Sequence, residues 1–222
     1  GQHLFRGQVT AHQIHGEGTD AHGRVVACLG GVAGGFLTGH GGGFEVIQQG
    51  VQNALFDDIL GVNRHEEHPE WGFAFPAKLM KKDLDLIENM CCNTIRGSHY
   101  PNSRIFVDML DERGILFWSE IPMWGCGFNE QAFRNPIVVE RGYQMHREMT
   151  KYYYNHPCII IWGMHNEIWT CHECTFELTK KYYEHLREFG GNRLITHASN
   201  HPLNDELMGY NDIICIKWTN NI

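Results

Sequence analysis

Asn155-His-Pro-Cys-Ile-Ile-Ile-Trp-Gly-Met-His-Asn-Glu167 decides the fold. Cys158 to Gly163 is a short apolar run, behind the turn residues Asn155 and Pro157. A continuous run of this length is what a parallel strand buried on both faces requires. It ends in the polar pair Asn166-Glu167, so a rigid element presents an amide and a carboxyl side by side. Working outward, the same grammar recurs at Asp58–Asn63, Asn93–Ser98, Ile115–Glu120, Leu194–Ser199 and Ile213–Trp218.

Helical periods fall between these runs. Over Pro76–Met90, Met80, Leu84, Ile87 and the following Cys91 are spaced 4, 3 and 4 apart. Over Ser103–Arg113, Ile105, Phe106, Met109 and Leu110 share a face, and Gly114 stops the helix. Pro136–Tyr154 and Thr175–Phe189 supply two more, and the connection Pro202–Tyr210 is short. Repeated strand–helix units predict an α/β fold with a parallel sheet. No GxGxxG follows the first strand, so a dinucleotide fold lacks its fingerprint. Polar residues gather instead where strands end, at Asn63-Arg64-His65-Glu66, Ser98-His99-Tyr100, Glu120 and Asn166-Glu167. That is the end at which a (β/α)8 barrel builds its active site.

Residues 1–54 differ in kind. Fourteen of the 25 glycines lie in residues 1–50, which contain no Lys, Pro, Trp, Tyr or Met. Short β-like pieces occur at Leu4–Ala11, Arg24–Leu29 and Phe44–Gln48. A boundary near residue 54 separates this Gly-rich lead-in, a candidate remnant of a β-sandwich, from residues 55–222. The chain has 222 residues, 18 Lys and Arg against 26 Asp and Glu, and a formal charge of −8. Such an acidic chain does not suit nucleic acid. No run reaches the length of a membrane span. The eight cysteines are too dilute for a disulfide scaffold and sit largely in apolar runs. They read as buried free thiols, Cys91 and Cys92 included, and with no secretory signal visible they point to a cytoplasmic setting.

Glu167, desolvated by Trp162 and Trp169, is placed to act as a general acid. Asn166 offers a donor and an acceptor for a sugar hydroxyl, His99 can donate to a ligand, and Tyr100 can line a pocket. His65-Glu66-Glu67-His68 is not a zinc motif, because its histidines would point to opposite faces of an extended segment. Cys171-His-Glu-Cys174 is a lone CxxC without the second pair that a four-cysteine site needs.

These segments together resemble glycoside hydrolase family 2. Asn93-Thr-Ile-Arg-Gly-Ser-His-Tyr-Pro101, continuing through Asp108 to Gly114-Ile-Leu-Phe-Trp118, is similar to its first signature. Asn155 to Glu167 is similar to its acid/base signature, and Val62 to Trp71 to its first barrel strand. The resemblance covers residues 58–216 and implies the first six strand–helix units of a TIM barrel. It implies a retaining β-glycosidase whose two carboxylates stand about 5 Å apart. Glu167 is then the acid/base, Asn166 binds the sugar's 2-hydroxyl, and Arg64, His65 and His99 shape the glycone subsite. Glu120 is a supporting residue. The nucleophile falls beyond Ile222, so this chain alone is catalytically incomplete and its partner is the rest of the same polypeptide, with a homo-oligomer as a further expectation. The implied substrate is a terminal β-glucuronide. A β-galactoside, or carbohydrate binding without turnover, is the alternative. No cofactor is implied. The family's magnesium-dependent members place a Glu and a His where this chain has Trp124 and Cys126, so no metal is expected either.

Overall fold

The computed structural model describes residues 10–13, 26–28, 37–38, 60–74, 76–125, 130–168, 172–199 and 211–216. The apolar runs form strands and the periodic segments between them form helices. The strands are β4 (Leu60–Arg64), β5 (Thr94–Gly97), β6 (Leu116–Glu120), β7 (Ile159–Asn166), β8 (Leu194–Ser199) and β9 (Ile213–Ile216). They lie side by side in chain order, and every neighbouring pair is parallel. The helices between them are α1 (Ala77–Asn89), α2 (Arg104–Arg113), α3 (Glu130–Arg134), α4 (Pro136–Tyr153) and α5 (Glu173–Phe189). This is part of a (β/α) barrel, as the alternation predicts.

Three pieces of the Gly-rich lead-in join the same sheet. β1 (Thr10–Gln13) pairs antiparallel with β4. β2 (Val26–Cys28) runs parallel to β9, and β3 (Leu37–Thr38) runs antiparallel to it. The expected β-like stretches over 4–9 and 44–48 lie outside the described residues, as does the connection 202–210.

Side chains alternate across the sheet. Val62, Ile95, Phe117, Met164 and Ile195 face the helices and form one core with Leu84 and Ile87 of α1, Phe106 and Leu110 of α2, and Tyr182 and Leu186 of α5. Each such side chain, fully buried, contributes about 1.5–3 kcal/mol. The opposite parity places Asn63, Arg96, Trp118 and Glu120 on the other face. Helix ends follow their local chemistry. Asn135 caps α4 by accepting from the Ile137 N–H at 2.9 Å, with Pro136 in the first turn. Gly114 ends α2 in the left-handed conformation, φ 68°.

Two packing expectations need correction. α1 stops at Asn89, and Cys91 adopts φ 58° at the turn, so Cys91 is exposed and Cys92 enters the core in its place. On α2 the buried stripe is Phe106, Val107 and Leu110, while Ile105 faces outward. The free thiols Cys92 and Cys158 are buried, and burial pushes the Cys92 thiol pKa up.

Candidate active site

Asn166 reaches the interior face through a defect in β7. Gly163 lies opposite Thr196, but Asn166 lies opposite Ala198, so three steps on β7 match two on β8. Strict alternation from Gly163 would aim Asn166 at the helices. The one-residue bulge reverses that parity. Asn166 is then fixed on both sides. Its N–H donates to the Met123 carbonyl at 2.9 Å, and its carbonyl accepts from the Gly125 N–H at 3.0 Å. Glu167 follows with φ 52°, half-buried, its N–H donating to the Ala198 carbonyl at 2.8 Å. The backbone of β8 on one side and of the segment after β6 on the other thus sets the position of the Asn166-Glu167 pair.

Arg96 of β5 organises the polar side chains. Its Nη2 donates to both Glu120 oxygens, at 3.0 and 2.9 Å, and to Asn166 Oδ1 at 2.8 Å. Its Nη1 donates to Asn63 Oδ1 at 3.4 Å. The guanidinium lies 4.4 Å over the Trp118 ring. His99 Nδ1–H donates to Glu120 Oε1 at 2.5 Å. Glu120 has no exposed surface. Burial alone would raise its pKa, but the charge of Arg96 and the bonds from His99 and Arg96 outweigh it and hold the carboxyl below the ordinary value. A carboxylate engaged by that many donors is a fixed anion rather than a nucleophile. Gly163 permits this arrangement, since a Cβ there would sit 2.4 Å from the Glu120 Cβ.

Aromatic rings continue outward from His99. Its ring is 5.2 Å from His65 and 6.2 Å from Trp124. Tyr100 is 6.4 Å from His65, 6.4 Å from Trp124 and 5.1 Å from Phe73. Burial first, then the neighbouring His99, lowers the pKa of His65. Burial and the adjacent Glu67, to which its hydroxyl donates at 3.3 Å, push the Tyr100 phenol up.

The structure therefore brings Asn166, His99, His65 and Tyr100 together, with Glu167 next in chain to Asn166. It does not bring Arg64 with them. Arg64 is one step out of register with Arg96 and turns to the helix side. There it donates to Asp83 of α1 at 3.1 and 3.0 Å and to Asn102 at 3.3 Å, and lies 4.0 Å over Phe106. Trp162 is corrected in the same way. It is buried on the helix side with its Nε1–H on the Gly190 carbonyl at 2.9 Å, so it does not desolvate Glu167. Trp169 and Cys171 lie outside the described residues. Sequence reasoning missed Arg96, and it gave Asn63 and Trp124 no site role of their own. For Arg96 a signal existed: a full charge in the middle of the apolar Asn93–Ser98 strand needs a buried partner.

Among the described residues, Asp108, Asp111 and His156 hold ligand atoms within 4.8 Å of one another. They satisfy each other instead. Asp111 accepts from His156 Nδ1 at 2.6 Å and from the Cys158 N–H at 2.8 Å, locking the start of β7 at the end away from Glu167. No helix among the described residues is long and apolar enough to cross a membrane.

Comparison with known proteins agrees with this fold. Residues 55–220 match the family model described as glycosyl hydrolases family 2, TIM barrel domain. A β-galactosidase of Thermoanaerobacterium thermosulfurigenes is 32% identical over 160 residues, 70% of this chain and 21% of that protein. A β-glucuronidase of Bacteroides fragilis is 34% identical over 144 residues, 64% of this chain and 21% of that protein. The chain thus spans 21% of the length of each of these relatives. Among solved structures, a family 2 β-galacturonidase from Eisenbergiella tayi bound to galacturonate is similar with a TM-score of 0.65 and 38% identity, over 68% of this chain and 27% of that one.

Proposed function

This chain belongs to glycosyl hydrolase family 2 through its TIM barrel domain, and from that premise we propose that it holds the acid/base half of a retaining β-glycosidase site. The observation that supports this most is the β7 bulge. It puts Asn166 on the interior face and Glu167 immediately after it, at the strand end where barrel enzymes do their chemistry. Arg96 holds Asn166 Oδ1, which orients the amide and leaves its NH2 to donate to a sugar hydroxyl. Glu167 protonates the glycosidic oxygen as the bond to the sugar's anomeric carbon breaks and a second carboxylate attacks that carbon. In the second half Glu167, now ionised, takes a proton from the water that releases the sugar. The attacking carboxylate is not assigned to a residue of this chain, and Glu120, fully engaged by Arg96 and His99, is a supporting anion. His99 and His65 border the sugar; Arg64 acts only from behind the sheet.

The favoured substrate is a β-linked uronide, a β-glucuronide first. Support comes from relatives named β-glucuronidase and β-galacturonidase. A β-galactoside is the second reading, favoured by the 32% identical β-galactosidase. No step of this reading uses a metal or cofactor.

Glu167→Gln in the polypeptide carrying this sequence tests the assignment. An acid matters most when the leaving group is poor. Turnover of a methyl β-glycoside is expected to fall about 10²–10⁴-fold. Formation of the glycosyl intermediate from a dinitrophenyl glycoside, which needs no protonation, is expected to fall far less. Equal losses on the two substrates would remove Glu167 from this role.

A further inference from the structure

We propose that the exposed rings of Phe73 and Trp124, with the half-buried Tyr100 between them, form a binding surface for a planar aromatic aglycone. The proposal rests on the reading of Glu167 as the acid, because that reading says where the aglycone must emerge. The oxygen that Glu167 protonates is bonded to the aglycone, so the aglycone leaves past whatever flanks Asn166-Glu167. Trp124 is that neighbour. It bridges to Asn166 in parallel fashion, and the next residue, Gly125, donates to the Asn166 carbonyl.

From there the rings form a continuous series outward. His99, at the polar cluster, leads to Trp124 at 6.2 Å, Trp124 to Tyr100 at 6.4 Å, and Tyr100 to Phe73 at 5.1 Å. Trp124 is 45% and Phe73 65% exposed, with the half-buried Tyr100 between them. Single exposed apolar side chains need no explanation, but a contiguous group beside a polar site marks a binding surface. The chemistry favours an aryl group over a second sugar. Phe73 stands at 89° to Tyr100 and Trp124 at 60° to it, so the rings meet edge to face and offer the walls that a flat ring packs against. A sugar would need paired donors and acceptors. Here the Tyr100 hydroxyl is already on Glu67.

The test uses phenyl and methyl β-glycosides of the same sugar, with Trp124→Ala, Phe73→Ala and Trp124→Phe. The readouts are the phenyl-over-methyl ratio of kcat/KM, and saturation transfer from protein to the phenyl protons by NMR. Trp124→Ala is expected to lower the ratio about tenfold, equivalent to about 1.4 kcal/mol. Phe73→Ala is expected to lower it about threefold, and Trp124→Phe is expected to restore most of it. An unchanged ratio in both alanine variants overturns the proposal. So does a β-linked disaccharide that loses as much as the phenyl glycoside. If the full polypeptide carrying this sequence, unsubstituted, turns over neither glycoside, the acid/base reading fails separately. Saturation of the phenyl protons then still decides the surface: its loss in the alanine variants upholds the proposal, and its persistence overturns it.

Discussion

Arg64 and Arg96 sit on neighbouring strands, are both buried, and each lies over an aromatic ring, yet they belong to different halves of the molecule. Asn63 pairs with Arg96 and Arg64 with Gly97, so a single residue of register separates them. In a strand that means opposite faces. Arg96 points inward and binds Glu120, Asn166 and Asn63, organising the polar cluster. Arg64 points to the helices and clamps what lies behind the site. It reaches Asp83 and Asn102, and Asn102 Nδ2 in turn donates to the Tyr100 carbonyl at 3.0 Å. In the sequence only Arg64 looked functional, and Arg96 passed unnoticed inside an apolar run. Parity decided which one meets the site and which one supports it.

Replacing each arginine by methionine measures the difference. Arg96→Met leaves Glu120 ionisable, wholly buried and without its main counter-charge. Breaking a buried pair from one side costs about 3–5 kcal/mol, and the loss of cluster geometry is expected to abolish turnover. Arg64→Met strands less. Asp83 is 37% exposed and can be hydrated, and Glu66 keeps the Ser103 N–H at 2.5 Å. Its expected cost is about 1–3 kcal/mol, with turnover reduced but measurable. Urea unfolding with parallel assays checks both. Equal costs would mean that the two faces are energetically equivalent and that the inward cluster is ordinary packing.

The order of elements was legible because periodicity is a property of adjacent residues. Runs such as Cys158–Gly163 and stripes such as Leu178, Tyr182 and Leu186 state their structure locally. Placing Asn166 and Glu167 at a strand end was legible for the same reason. How Asn166 reaches the interior was not. The β7 bulge is a relation between β7 and β8, and nothing within Met164-His165-Asn166 announces an extra residue. The same limit explains Trp162 and Arg64. Both lie close in sequence to site residues, and proximity along a strand says nothing about which face a side chain takes. Cys91 misled differently, because its spacing continued the α1 stripe past the helix end.

The two buried glutamates offer the finest version of the comparison. Glu120 and Glu66 are 0% and 4% exposed, and their pKa values move in opposite directions from the ordinary 4.5. For Glu66 burial dominates and raises the pKa; the Ser103 N–H and the Arg64 charge, whose Nη1 is 3.9 Å away, only partly offset it. The signs of the pH dependence follow from linkage. Glu120, depressed, contributes stability that is present above pH 4.5 and lost as pH falls through its lower folded value. Glu66, raised, does the reverse: it is neutral in its effect below 4.5 and becomes a penalty as pH rises through its higher folded value. Glu120→Gln is therefore expected to destabilise at pH 7, and to do so less as the pH is lowered. Glu66→Gln keeps an oxygen for the Ser103 N–H and removes the buried charge. Its stability is expected within about 1 kcal/mol of the parent at pH 7, on the favourable side, with the difference shrinking as pH falls toward 4.5. Thermal unfolding of the three proteins at pH 7 and pH 5 resolves this. A Glu66→Gln protein that is clearly less stable at pH 7 than at pH 5, relative to the parent, would show that the charged form of Glu66 is the favoured one. Arg64 would then be its true counter-ion across 3.9 Å, and the helix side would hold a second organised ion pair rather than a clamp.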